Sequence, residues 1–191
     1  MMNKLTPSDF ARASAELGCS VEVIKAVVKV ESPRGGFNPD GTLTTLFEAH
    51  HFHRFTKGRW AVANPTLSSR VWDRRLYART WQGERQRYAQ AAALDPISAI
   101  LSTSYGMFQI MGFNHGPCGF TSGADMVNAF ATGESSQLDA FVEFIKVRGL
   151  ADELRDLRWL DFALAYNGPS ARANNYHHKM AAAYDELTKG A

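Results

Sequence analysis

Apolar residues recur along this chain at helical spacing, in blocks separated by glycine, proline and short polar runs. Leu138, Phe141, Val142 and Ile145 fall three and four apart, which predicts a helix from Glu134 that Gly149 ends. In "VEVIKAVVKVES" the valines and Ile24 do the same. They predict a helix from about Val21, capped by Ser20, to about Ser32, with Pro33 preventing its continuation. Ahead of it, Thr6 as N-cap, Pro7 at the first helical position and Gly18 as C-terminal cap mark a first helix. Leu150, Leu154 and Leu157 predict another turn or two. "WLDFALAYNGP" reads as a short apolar helix stopped by Asn167, Gly168 and Pro169, and residues 174–187 as a last helix. "TLTTLF", from Thr42 to Phe47, is β-branched and reads as a short extended piece, with "EAHHFHRFT" a short helix after it. Residues 56–95 read as one or two solvent-facing helices, and Thr103 to Phe120 as a helix start followed by an irregular glycine-rich loop. With no internal repeat and no low-complexity linker, the pattern predicts a mainly α fold with at most a small β element. Residues 1–191 then form a single domain.

One residue breaks the pattern. Glu22, Lys25, Lys29 and Ser32 form the polar face of the second helix, but Glu31 lies off that face. It follows Ile24 by seven residues, Val27 by four and Val28 by three, on the apolar stripe at the helix end. Burial beside apolar groups and the negative end of the helix dipole both disfavour its ionised form. A carboxyl that keeps its proton near neutral pH is suited to general acid catalysis. The bland alternative is an ion pair with Arg34 or a nearby lysine.

Composition narrows the field. The 191 residues are 45% hydrophobic and 21% charged, an ordinary globular mix with enough chain for a sizeable core. A net charge of +2 is compatible with an anionic polymer but too small to argue nucleic-acid binding. Two cysteines, Cys19 and Cys118, make no disulfide framework or zinc motif and read as buried thiols. The N-terminal segment lacks the apolar core of a secretory signal, and no run is apolar enough for a membrane span.

Two further strings stand in order after Glu31-Ser32. They are "SYGMFQI" (Ser104 to Ile110) and "AYNGP" (Ala165 to Pro169). With the Glu-Ser helix end they resemble the signature of the goose-type lysozyme and lytic transglycosylase superfamily. "VKVES", "LFEAHHF", "SYGMFQIMGFN", "QLDAFVEFI" and "FALAYNGP" resemble more narrowly the bacteriophage N-acetylmuramidase family of endolysins, over roughly residues 10–187. The resemblance implies a lysozyme-like fold and cleavage of the β-1,4 bond from N-acetylmuramic acid to N-acetylglucosamine in peptidoglycan. It implies Glu31 as the catalytic acid, and Ser104, Gln109, Tyr166 and Asn167 as cleft residues that hold the sugar and frame the acid. Asn167 would bond an N-acetyl group. Many relatives carry a separate wall-binding module, and this chain is expected to have none. It is expected to act as a monomer, without nucleic acid or stable membrane insertion. It would be made in the host cytoplasm, with no signal peptide, and reach the periplasm and wall through a holin pore.

Glycoside hydrolysis ordinarily uses two carboxylates. Glu48, 17 residues on from Glu31 (48 − 31) and anchored behind Leu46 and Phe47, is the expected partner, and Asp40 is a weaker one. The alternative for Glu48 is the start of the "EAHHFHRF" helix, where negative charge is welcome. Chemistry of this kind needs no metal or organic cofactor. His50 and His53, with His177 and His178, do not supply a zinc peptidase motif, and His50 is expected to steady the Glu48 loop. The arginine-rich stretch Arg70 to Arg87, with Trp72 and Trp81, reads as a solvated helical face rather than a binding site for an anionic polymer. Two rival functions remain open. A lytic transglycosylase would use Glu31 alone and leave 1,6-anhydro ends, and a non-enzymatic wall-binding domain would use neither carboxylate.

Overall fold

The computed structural model describes residues 4–32, 35–168 and 171–189. Helix α1 (Pro7–Leu17) starts on a reciprocal capping box between Thr6 and Asp9 and stops at Gly18, whose φ of 68° suits a left-handed cap. Helix α2 (Val21–Glu31) is capped by Ser20 and ends one residue short of the expected Ser32. Pro33 and Arg34, invoked above as a stop and as an ion-pair partner, lie outside the described residues, as does Pro169. Strand β1 (Thr45–Phe47) leads into α3 (Ala49–Phe55), as the sequence pattern suggests.

Residues 56–80 depart from expectation. They form turns and a short 3-10 turn at Arg74–Leu76, and helix begins only with α4 (Trp81–Leu94) behind its Thr80 cap. Helix α5 (Pro96–Leu101) follows on an Asp95 cap. The segment from Thr103 is not a helix start. It is a β-hairpin of β2 (Thr103–Tyr105) and β3 (Ile110–Met111), and β1 completes an antiparallel sheet in the order β1-β2-β3. The physical reason is local and distant at once. Gly106 and Gln109 take φ values of 71° and 49°, which no helix accommodates, and the partner strand lies far back in the sequence. Helix α6 (Gly123–Phe130), α7 (Glu134–Val147), α8 (Ala151–Arg155), α9 (Trp159–Asn167) and α10 (Tyr176–Lys189) complete the chain.

Two apolar clusters flank the sheet. The larger joins Leu17, Ile24 and Val27 to Met126, Leu138, Phe141, Ile145, Leu154 and Phe162. The smaller packs Phe47, Phe52, Leu67, Ala91 and Ala99 under α3, α4 and α5. Tyr88 packs against both, edge-on to Tyr105 of β2 at 6.4 Å between ring centroids. Cys118 is buried and Cys19 half-buried, and both are free thiols.

The first two turns of α7 tie the loops on either side of the sheet to the larger cluster. Gln137 is fully buried; its side-chain oxygen accepts from the backbone N–H of Met107 (2.8 Å) and its nitrogen donates to the carbonyl of Phe130 (2.9 Å). A side chain at Gly36 or at Gly106 would collide with the Gln137 amide. Glu134 adds a bond from the Gly36 N–H (3.1 Å) and an ion pair with Lys4 (2.7 Å). Gln137→Leu keeps the volume but strands two buried backbone groups. It is expected to cost about 2–5 kcal/mol of stability in urea unfolding. A loss under about 1 kcal/mol would mean that the loops are held by other contacts.

Candidate active site

Glu31 closes α2 where three chain ends converge. Helix α2 packs along α10 and α1, which puts its last turn beside the end of α9 and the start of α10. The cavity there measures about 270 Å3, near the lower end of the small-ligand range. Its polar lining is Glu31, Gln109, Asn114 and Asn167; Phe108, Met111, Phe144, Tyr166 and Tyr176 supply its apolar wall. Glu31 is half-buried, and burial pushes its pKa above the ordinary glutamate range. The Asn167 amide opposes this by donating to Glu31 Oε1 at 2.8 Å, and the positive charge of Lys179 opposes it further. Desolvation is the larger effect, so the proton is held more tightly than in water.

The sequence-derived site residues divide by their surroundings. Glu31, Gln109, Tyr166 and Asn167 line one cavity. Asn167 ends α9 as expected, but its amide is engaged by the Glu31 carboxyl in this structure. Gln109 has its side chain occupied by its own hairpin, donating to Gly106 O (2.8 Å) and accepting from Ser104 Oγ (2.9 Å). Ser104 is buried behind it and is absent from the cavity lining, so its direct contact is with Gln109. Tyr166 packs its ring between Phe141, Phe144 and Phe162, and its hydroxyl donates to Phe108 O (3.2 Å). Burial, then the Glu31 charge, pushes the Tyr166 hydroxyl well above the usual tyrosine range.

Glu48 lies outside that cavity. It lines a smaller one with His50, Trp72, Asp73, Leu76, Tyr77 and Arg87. Although it is the N-cap residue of α3, its side chain makes no capping bond. The carboxylate accepts instead from the Tyr77 hydroxyl (2.5 Å), with His50 Nδ1 at 3.3 Å from the same oxygen. Its backbone is extended and its N–H donates to Ser102 O, so the strand geometry of β1 continues through it. Leu46, Ser104 and Met111 are direct cross-strand partners and share one face of the sheet. Glu48 follows Leu46 by two residues, so strand alternation keeps it on that face, while both β3 residues, Ile110 and Met111, line the Glu31 cavity.

Asp40 stands apart, with its carboxylate taken by Thr42 and Arg85. Among the described residues, no three His, Cys, Asp or Glu side chains come together as a metal site. The sequence does not single out Tyr77, because the polar stretch around it predicts a solvated helix. Nor does it single out Asn114, Phe144 and Tyr176, whose types carry no signal until three segments meet at one cavity.

A carboxyl made to retain its proton, set in a cleft with aromatic walls and amide side chains, is the equipment of a glycoside hydrolase. The N-acetylmuramidase family matches residues 20–188. A phage endolysin, the Burkholderia AP3 enzyme, has a crystal structure that superposes with a TM-score of 0.90. It is 33% identical, over 98% of this chain and 72% of that one. No curated protein sequence matches the chain. The chain belongs to the N-acetylmuramidase family and is a lysozyme-type hydrolase of peptidoglycan.

Asn167→Ala removes the donor that favours the ionised Glu31 while leaving most of the burial. The Glu31 pKa is therefore expected to rise further, read by carbon-detected NMR titration of the carboxyl. A fall would show that Asn167 acts mainly by excluding water.

Proposed function

We propose that the chain is a bacteriophage endolysin that hydrolyses the β-1,4 bond from N-acetylmuramic acid to N-acetylglucosamine, with Glu31 as general acid and Glu48 as second carboxylate. The observation that carries this reading is the contrast between the two environments. Glu31 is desolvated among Phe108, Phe144 and Tyr166 and holds its proton for the leaving oxygen. The Glu48 carboxylate, by contrast, sits among polar groups and accepts a hydrogen bond from the Tyr77 hydroxyl. It would stabilise the oxocarbenium-like transition state or orient water against it. Gln109, Tyr166 and Asn167 frame the acid, and Ser104 keeps Gln109 in place. Asn167 would exchange its bond to Glu31 for one to an N-acetyl group as sugar enters.

The reading favours inversion, whose carboxyl groups stand about 6.5–9.5 Å apart with room for water, because Glu31 and Glu48 come from different elements, the end of α2 and the end of β1. The reading extends to a monomer, since the exposed large apolar residues are scattered, with Ile97 on α5, Val147 on α7, and Val62, Val71 and Trp72 in the turns between α3 and α4. It extends also to release through a holin pore. No helix of the described residues is long and apolar enough to cross a membrane.

Glu31→Gln should retain the fold and lose about 10²- to 10⁴-fold of its wall-lytic rate, because the amide keeps the shape and has no catalytic proton. Activity of the parent enzyme should fall as pH rises through the raised Glu31 pKa. The folded chain binds that proton more tightly than the unfolded chain. The stability it contributes is therefore lost over the same rise, and Glu31→Gln should melt no lower than the parent at neutral pH. Near-parent lysis by a well-folded Glu31→Gln sinks the assignment.

Glu48→Gln should lower kcat with little change in KM, since its charge counts most in the transition state. Mass spectrometry of the products should show reducing muramic ends. Anhydro-muramic ends, with Glu48→Gln fully active, would move the one-carboxylate transglycosylase reading ahead.

A further inference from the structure

The turn-rich segment between α3 and α4 carries an exposed aromatic side chain that packing does not require. Trp72 leaves 59% of its surface in solvent, and its neighbour Val71 leaves 67%. Its indole N–H donates to the Tyr77 hydroxyl at 2.8 Å, and that hydroxyl contacts Glu48 Oε2. The direction of this chain is settled by chemistry. An indole nitrogen only donates, so the Tyr77 oxygen accepts from Trp72 and turns its own hydrogen to Glu48. The ring is thereby held in orientation with more than half of its surface in solvent.

The surroundings of that surface are polar. Asp73, held by a two-pronged contact with Arg75, and Arg87 border the small cavity that Trp72 shares with Glu48. An isolated, oriented aromatic face amid hydrogen-bonding groups suits a pyranose, which offers an apolar C–H face for the ring and hydroxyls at its rim. A protein partner would require a wider apolar patch than this pair of residues.

We propose that Trp72 is a glycan subsite, where a sugar unit of the peptidoglycan strand beyond the scissile bond stacks on the indole. The subsite rests on the assignment of Glu48 to the cleft, because a strand lying across Glu31 and Glu48 continues onto Trp72. A strand long enough to pass Glu48 gains this contact. A short one seated in the Glu31 cavity does not.

The test is binding in the Glu31→Gln background, where turnover is expected to be about 10²- to 10⁴-fold slower. The probes are a soluble, uncrosslinked strand of alternating N-acetylglucosamine and N-acetylmuramic acid and the corresponding disaccharide, titrated by calorimetry. Trp72→Ala should weaken binding of the long strand about 3- to 10-fold, as one aromatic contact contributes. It should leave the disaccharide affinity unchanged. Trp72→Phe, which keeps a stacking face, should recover most of the lost affinity. Equal affinity of Trp72→Ala and its background for the long strand overturns the proposal, as does equal weakening for both probes. Circular dichroism and melting temperature confirm that each variant is folded. Failure of the carboxylate assignments appears separately, as lysis by Glu31→Gln or Glu48→Gln.

Discussion

The cleft depends on a buried amide. Gln137 occupies the space that side chains at Gly36 and Gly106 would need, and it binds the backbone at Met107 and Phe130. Gly36 belongs to the loop that leaves Glu31, and Gly106 belongs to the hairpin that presents Gln109. Both approach α7 closely because neither has a Cβ, and Gly106 also takes a φ that other residues adopt at a cost. Glu134, one turn earlier, holds the Gly36 N–H and the N-terminal segment through Lys4 and Leu5. The acid helix and the hairpin facing it are thus referred to the same two turns of one well-packed helix.

The two carboxyl groups illustrate how one residue type is given different surroundings. Glu31 comes to its position from the apolar face of a helix, so desolvation outweighs its hydrogen bond. Glu48 comes from the end of a strand, with its backbone pinned to Ser102 and its carboxylate met by Tyr77 and His50. Beneath it, Glu84 and Arg87 form a buried ion pair at 2.9 Å, and Glu84 also accepts from the N–H groups of Phe47 and Ala78. That pair ties α4 to β1 and to the segment carrying Tyr77. The arginine-rich stretch therefore serves partly as internal scaffold: Arg87 reaches inward, while Arg74, Arg75 and Arg79 remain in solvent.

Much of the helical frame was legible from local chemistry. Thr6, Pro7 and Gly18 delimit α1, and the three- and four-residue spacing of Leu138, Phe141, Val142 and Ile145 identifies α7. The placement of Glu31 was legible for the same reason, because a helical wheel relates sequence spacing to one face without needing a partner. The hairpin at Thr103 to Met111 was not. Its strands are three and two residues long, too short to show alternation, and its stabilising partner β1 lies more than fifty residues earlier. Residues 56–80, mostly polar, predict helix but form turns, since their composition is equally that of turns.

The sequence by itself determined the order and faces of the main helices, the apolar setting of Glu31 and the chemistry available to the cleft. These follow from short-range periodicity, capping and side-chain type. Tertiary structure alone decided that Asn167 bonds Glu31, that Ser104 serves Gln109, and that Tyr77 and Trp72 stand beside Glu48. Each of those contacts, apart from Ser104 to Gln109 and Trp72 to Tyr77 within their own segments, joins segments whose closeness is set by packing of the two apolar clusters about the sheet. Periodicity along a chain carries no record of which distant faces will meet.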